Sequence, residues 1–187
     1  NETFPEFHKA VGEVLLSGAK GLILDLRSNP GGYLDSSVLI ASEWIEKGAS
    51  VVEERGKSGE HLTHVSTGSP RLQGLKTVVL IDEGTASGSE IVAGALKDHG
   101  LATIAGRTSF GKGSVQNFEL LPDGSAIKLT VAKWYTPKGH QIDETGIVPD
   151  VVFEYSEEEL EAFAQQVAAG KTVDPDIDRA IELLETL

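Results

Sequence analysis

Cysteine and methionine are both absent from this 187-residue chain. The lack of cysteine excludes disulfides, thiol nucleophiles and thiolate metal sites. It is compatible with an oxidising compartment without requiring one. Cations are scarce: 16 Lys and Arg face 29 Asp and Glu, for a formal net charge of -13. The basic clusters that hold a phosphate backbone are therefore missing, and nucleic-acid binding is not expected. Aromatic residues make up only 6% of the chain and provide no stacking platform for bases. No apolar run reaches the ~20 residues of a membrane span, and none has the layout of a signal peptide, so the expectation is a soluble domain.

The hydrophobic content of 40% is enough for one buried core. We read residues 1–155 as that core and 156–187 as a helical appendage of the same domain. Residues 151–187 hold ten Asp and Glu against two Lys and Arg, which predicts solvated, acidic helix faces. Ser156-x-x-Glu159 and Asp174-Pro175 supply the start signals of the appendage's two helices. Near the N-terminus, Thr3-x-x-Glu6 predicts a capped helix with Phe4, Phe7, Val11, Val14 and Leu15 on one face, ended by Gly18. Another helix is expected over 33–47.

The runs 21–26 and 77–81 are almost continuously apolar, as in strands covered on both faces. Leu101 to Ala105 reads as a further short strand. Segments 114–121 and 126–135 alternate and are joined by Pro122-Asp123-Gly124, which predicts a hairpin. The fold class is thus α/β, a mixed β-sheet core with helices packed on it. Segment 56–74, rich in Ser, Thr, Gly and His, is expected to be a surface loop or a weak edge hairpin bordering a cleft.

Ser87 stands between a buried strand and a helix, in Asp82-Glu83-Gly84-Thr85-Ala86-Ser87-Gly88-Ser89-Glu90. A hydroxyl on so short a connection suits attack on a carbonyl, and the Gly88 amide faces out of the first helical turn, where charge is negative-seeking. Ser87-x-x-Glu90 also has the form of a capping box, so Ser87 alone would read as a helix cap. Lys112 adds a second element, in Gly106-Arg107-Thr108-Ser109-Phe110-Gly111-Lys112-Gly113-Ser114-Val115-Gln116. Flanked by glycines, it can approach other backbone and lose water, which disfavours the ammonium and makes the amine a base. The Gln116 amide oxygen could orient that amine without adding charge.

Other patterns in the chain carry less. Gly106-x-x-x-x-Gly111-Lys112 approximates a phosphate-binding loop, but Gly113 replaces the required Ser or Thr and a strand follows instead of a helix. Asp98-His99 lies at the far end of the helix begun by Ser87, ~17 Å along its axis and out of proton-transfer range. His61-x-x-His64 lacks a third metal ligand. No metal site and no cofactor are predicted.

Four segments, in order, resemble the C-terminal processing (tail-specific) peptidases, which use a Ser/Lys dyad. They are Gly21 to Gly32, ending Arg27-Ser28-Asn29-Pro30-Gly31-Gly32; Thr85 to Leu96; Thr108 to Gln116; and Gly146-Ile147-Val148-Pro149-Asp150. The spacings, 25 residues from Ser87 to Lys112 and 4 on to Gln116, agree with that family. The resemblance implies the tail-specific protease core with its crotonase/ClpP-like ββα units, and a serine endopeptidase cutting proteins near their C-termini. It implies Ser87 as nucleophile, Lys112 as base, Gln116 as its orienting partner, and an oxyanion hole formed by the backbone amides of Gly32 and Gly88. It further implies a protein or peptide substrate bound through its C-terminal region, and an extracytoplasmic location. Two departures stand out: Gly88 replaces the family's usual alanine, and nothing before Gly21 resembles a PDZ domain. The alternative is a silent or gated core acting as a peptide-binding module. The oligomeric state, a homo-oligomer included, is left open by the sequence.

Overall fold

The computed structural model describes residues 2–187. Among the described residues five helices, α1 (Thr3–Ser17), α2 (Leu34–Ala41), α3 (Gly88–His99), α4 (Glu157–Ala168) and α5 (Pro175–Thr186), accompany eight strands. These are β1 (Gly21–Asp25), β2 (Ser50–Gly56), β3 (His61–Val65), β4 (Lys76–Ile81), β5 (Thr103–Gly106), β6 (Ser114–Leu120), β7 (Ala126–Tyr135) and β8 (Val151–Val152). The α/β class expected from sequence holds. The strands sort by direction into two sheets, a parallel one ordered β1-β4-β5-β8 and an antiparallel one ordered β3-β2-β7-β6.

β4 sits at the centre of the parallel sheet and shows why its sequence is unbroken by polar residues. Val79 and Ile81 point into a core shared with Val92, Leu96 and Trp44, while Val78 and Leu80 point the other way, onto Phe153 and Ala180. Alternate side chains thus enter two different apolar clusters, so both faces must be apolar. The second cluster includes α5, which therefore packs on the sheet. Its acidic face is correspondingly only half solvated: Asp176 is buried and pairs with Arg27 and Arg107.

Several boundaries differ from the sequence reading. α1 starts at Thr3 itself, with Glu2 in the cap position and no side-chain cap from it, and only Val11 of its apolar stripe is buried. α2 stops at Ala41 instead of running to residue 47. There the Ser42 hydroxyl bonds back to the Val38 carbonyl, and the amides of Glu43 and Trp44 turn to Ile40 and Ala41, tightening and ending the helix. Segment 56–74 contributes β3 to an edge hairpin with β2. The β6–β7 hairpin runs past the end of β2, so residues 116–120 and 126–131 are exposed on both faces despite their alternating pattern.

Candidate active site

Three loops leave the C-terminal ends of the adjacent parallel strands β1, β4 and β5, the usual place for a site in a parallel sheet. They carry, in order, the Asn29-Pro30-Gly31-Gly32 turn, Ser87 and Lys112.

The loop after β4 is short. It turns so sharply that Ser87 adopts φ 55° and ψ -118°, far from the extended backbone of an ordinary helix cap. Positive φ in a non-glycine residue between strand and helix is the strained geometry that presents a nucleophilic serine. Two neighbours hold it. The Thr85 hydroxyl donates to the Leu26 carbonyl at 2.8 Å, and the Ala86 amide donates to the Asn29 carbonyl at 2.9 Å, which fastens the elbow to the loop after β1.

Asp82 completes that fastening. Its carboxylate accepts the Ser28 amide at 2.7 Å, the Gly84 amide at 2.9 Å and the Ser28 hydroxyl at 3.1 Å. Burial pushes the Asp82 carboxyl up, but the bonds from Ser28, Gly84 and Thr85 outweigh it and hold it below the usual carboxylate range. Gly31, at φ 86°, then passes so close to the elbow that a Cβ there would strike the Ala86 carbonyl and lie 2.6 Å from the Gly88 nitrogen. A Cβ on Gly88 would lie 3.1 Å from the Gly32 nitrogen. The amides of Gly32 and Gly88 therefore converge, and neither has an acceptor among the described residues. Two free N–H groups beside a serine, one at the positive end of α3, can hold a developing oxyanion.

Glu90 links the third loop to this pair. It is fully buried, and its carboxylate accepts four bonds: Oε2 from the amides of Ser87 and Lys112, each at 2.8 Å, and Oε1 from the Gly111 amide and the Ser109 hydroxyl, each at 2.6 Å. These donors and the N-terminus of α3 surround the carboxylate, and among the described residues no cation pairs with it. Sequence reasoning saw Glu90 only as half of a capping box. The signal that could have found it was the pairing of a helix-start carboxylate with a glycine-rich, donor-rich loop later in the chain.

The Lys112 loop is also clasped from outside. The Glu144 amide donates to the Gly111 carbonyl, the Ile147 amide to the Ser109 hydroxyl, and the Trp134 amide to the Gly113 carbonyl. A Cβ on Gly113 would collide with the Asp143 backbone, so glycine is required for this approach.

Backbone placement is therefore tight, whereas the Lys112 side chain is exposed, contrary to the desolvated amine expected from its glycine neighbours. Those glycines let the main chain approach other backbone without enclosing the amine. Among the described residues Nζ has no hydrogen-bond or ion-pair partner. Gln116 is also exposed. It lies at a register shift between Val115 and Gln116 in β6 and makes no hydrogen bond to Lys112.

Beside the Gly32 and Gly88 amides opens a cavity of about 490 Å³, lined by Leu24, Ile40, Val92 and Phe7. The histidines lie elsewhere. His99 bonds to the Ser50 carbonyl, His61 pairs with Glu53, and His64 packs edge-on to Trp134. Among the described residues no cluster of three acidic or imidazole side chains is arranged to hold a metal.

Residues 1–153 match the peptidase family S41 profile. A probable CtpA-like serine protease of Staphylococcus epidermidis is 43% identical over 152 residues, 81% of this chain and 31% of that protein. Its Staphylococcus aureus counterpart is 42% identical over 155 residues, with 82% and 31% covered. The chain thus spans about a third of the length of these curated relatives. Among solved structures, a photosystem II D1 C-terminal processing protease superposes with a TM-score of 0.75 at 37% identity, over 78% of this chain and 38% of that one. Mature CPAF shares the fold, with a TM-score of 0.70 at 17% identity over 88% and 46% of the two chains.

Proposed function

The chain belongs to peptidase family S41, and from that premise we propose that it is the catalytic core of a serine endopeptidase working through Ser87 and Lys112. The Ser87 hydroxyl oxygen bonds to the scissile carbonyl carbon while neutral Lys112 takes its proton. The carbonyl electron pair moves onto oxygen, which the Gly32 and Gly88 amides stabilise, a term worth several kcal/mol in acyl transfer. When the tetrahedral species collapses, the C–N bond breaks and Lys112 returns its proton to the leaving amine. Water then cleaves the ester by the same route, with Lys112 again as base. Gln116 is assigned the orienting of that amine through its amide oxygen.

The substrate is a protein or peptide held in extended form and cut near its C-terminus, with no cofactor, in an extracytoplasmic compartment. The exposed amine of Lys112 loses water when the peptide covers it, so the base is made at the moment of binding. The observation that most supports the dyad is Glu90, whose single buried carboxylate fixes the Ser87 and Lys112 backbones together.

A second reading, a gated or silent core that binds peptides, is favoured by the exposed and unpaired Lys112. Intact-mass measurement after treatment with a small sulfonyl fluoride separates the two. The dyad gives one adduct per chain, lost in both Ser87→Ala and Lys112→Ala. A chain that stays unmodified, or a Lys112→Ala variant labelled as fast as the parent, would support the second reading.

A further inference from the structure

We infer that Asp176, on α5, is a positioning residue for the chemistry: its carboxylate sets the direction of the loop that carries Lys112 relative to the loop that carries Gly32. This rests on the peptidase reading above. β1 and β5 are not neighbours, because β4 lies between them. The loops that leave them are instead joined at their roots, from outside the sheet. Arg27 follows the end of β1 by two positions, and Arg107 follows β5 directly. Their guanidiniums meet on one atom, Asp176 Oδ2, at 3.2 Å from Arg27 and 3.3 Å from Arg107. The Tyr155 hydroxyl donates to Oδ1 at 2.7 Å, so three donors share this buried carboxylate. Arg107 also reaches Glu83, in the loop after β4, at 3.4 Å. Asp176 and Tyr155 lie beyond residues 1–153, the part that matches the family profile.

The two arginines do not depend on Asp176 equally. Arg27 is also held by Asp25 and Asp174. Arg107 has, among the described residues, only exposed Glu83 besides. Loss of the Asp176 carboxylate therefore frees Arg107 while Arg27 stays in place. The Arg107 amide bonds to the Ile81 carbonyl and so ends the pairing of β5 with β4. Its side chain then sets the angle at which the segment leaves the sheet, five positions before Lys112. Further along, the Thr85 carbonyl holds the Phe110 amide, and Glu90 holds Ser109, Gly111 and Lys112. Ties at two separated points fix the direction of a segment, where ties at one end leave a pivot. That direction matters because the Lys112 amine has no bond of its own among the described residues, so its place follows from the backbone beneath it.

The test uses the small sulfonyl fluoride, followed by intact mass over time. Ser87 Oγ bonds to sulfur, fluoride leaves and Lys112 takes the hydroxyl proton. The final adduct count gives the fraction of chains with an assembled site, and the rate gives the reactivity of each site, so misfolding and misplacement are read separately. Asp176→Asn keeps the size of the side chain and should still reach one adduct per chain, at a rate lowered at least about tenfold; a displacement of about 1 Å can cost ~100-fold. Arg107→Gln should slow the reaction by a similar factor. The double variant should be no slower than either single one, because both break the same link. Asp174→Asn, which removes a partner of Arg27 and none of Arg107, should keep the parent rate. A parent rate in Asp176→Asn, or an equal slowing in Asp174→Asn, would overturn the inference alone. Should Asp176→Asn fall short of one adduct per chain, Arg107→Gln decides, and a parent rate there overturns the inference as well. A parent chain that the reagent never modifies would overturn it together with the peptidase reading.

Discussion

Ser87 and Lys112 donate their backbone amides to the same atom, Oε2 of Glu90, each at 2.8 Å. The proposed nucleophile and its proposed base, 25 positions apart in the chain, are thereby held by one carboxylate in the interior. Neither side chain takes part, so both remain available for chemistry while their main chains are fixed.

Replacing Glu90 should accordingly be among the most damaging single changes in the protein. Glu90→Ala strands four donors, two of them buried and two partly buried, and each unsatisfied buried group costs about 1–3 kcal/mol. Even after partial relaxation the loss should exceed about 3 kcal/mol, seen as a lower urea midpoint, with peptidase activity gone. Glu90→Gln keeps only one acceptor oxygen and should fall between the two. An unchanged midpoint in Glu90→Ala would show that the shared carboxylate does not hold the loops together.

Lys112→Ala should behave in the opposite manner. The side chain is exposed and its Nζ is without a partner among the described residues, so stability should stay within ~0.5 kcal/mol of the parent. Turnover of a peptide substrate should nevertheless fall by a factor of ~100 or more, the scale of a lost general base. Retained turnover would rule out Lys112 as the base; a large loss of stability would mean its side chain has a structural partner.

The turn glycines offer a paired comparison. Gly31→Ala forces a Cβ into the Ala86 carbonyl at a φ of 86°, a strained position for any L side chain. It should cost about 1–3 kcal/mol and displace the Gly32 and Gly88 amides, with kcat falling more than KM rises. Gly88→Ala meets the Ser37 hydroxyl, which can rotate away, and the Gly32 nitrogen at 3.1 Å, where a shift of a few tenths of an ångström suffices, and Ala is the better residue at a first helical position. Its activity should remain within a few fold of the parent, and thermal unfolding should occur at an equal or higher temperature.

What the sequence revealed followed from local pattern. The strand at 77–81, the elbow serine, the caps of α4 and α5 and the tight glycines after β1 each depend on neighbours within a few positions. They were readable for that reason. The role of Glu90 depends on donors about twenty residues away, and helix-cap chemistry explained the residue well enough to hide it. The water-exposed Lys112 was misjudged because flanking glycines report on backbone approach and say little about the amine. The division into two sheets was invisible, since alternation does not say which strands pair. The acidic C-terminal segment was read as solvated because charge counts ignore the two arginines, Arg27 and Arg107, that wait for it at the sheet's end.

That last junction predicts how the protein responds to acid. Arg27 grips Asp174 with a two-pronged pair, at 2.9 and 2.7 Å, and also reaches buried Asp176, which Arg107 and the Tyr155 hydroxyl share. The bond to Arg27 holds the Asp174 carboxyl below its ordinary value of 3.8. A carboxyl depressed by folding stabilises the native state fully above its unfolded pKa, and that contribution disappears as pH falls through the folded one. Asp82, also depressed below 3.8, acts in the same sense at the elbow. Thermal unfolding should therefore be nearly insensitive to these groups above about pH 5 and fall steeply below pH 3.8. Asp174→Asn should lower the unfolding temperature at pH 7 and flatten the acid slope, because the residue no longer takes up a proton on unfolding. A slope as steep as that of the parent would place the acid sensitivity elsewhere.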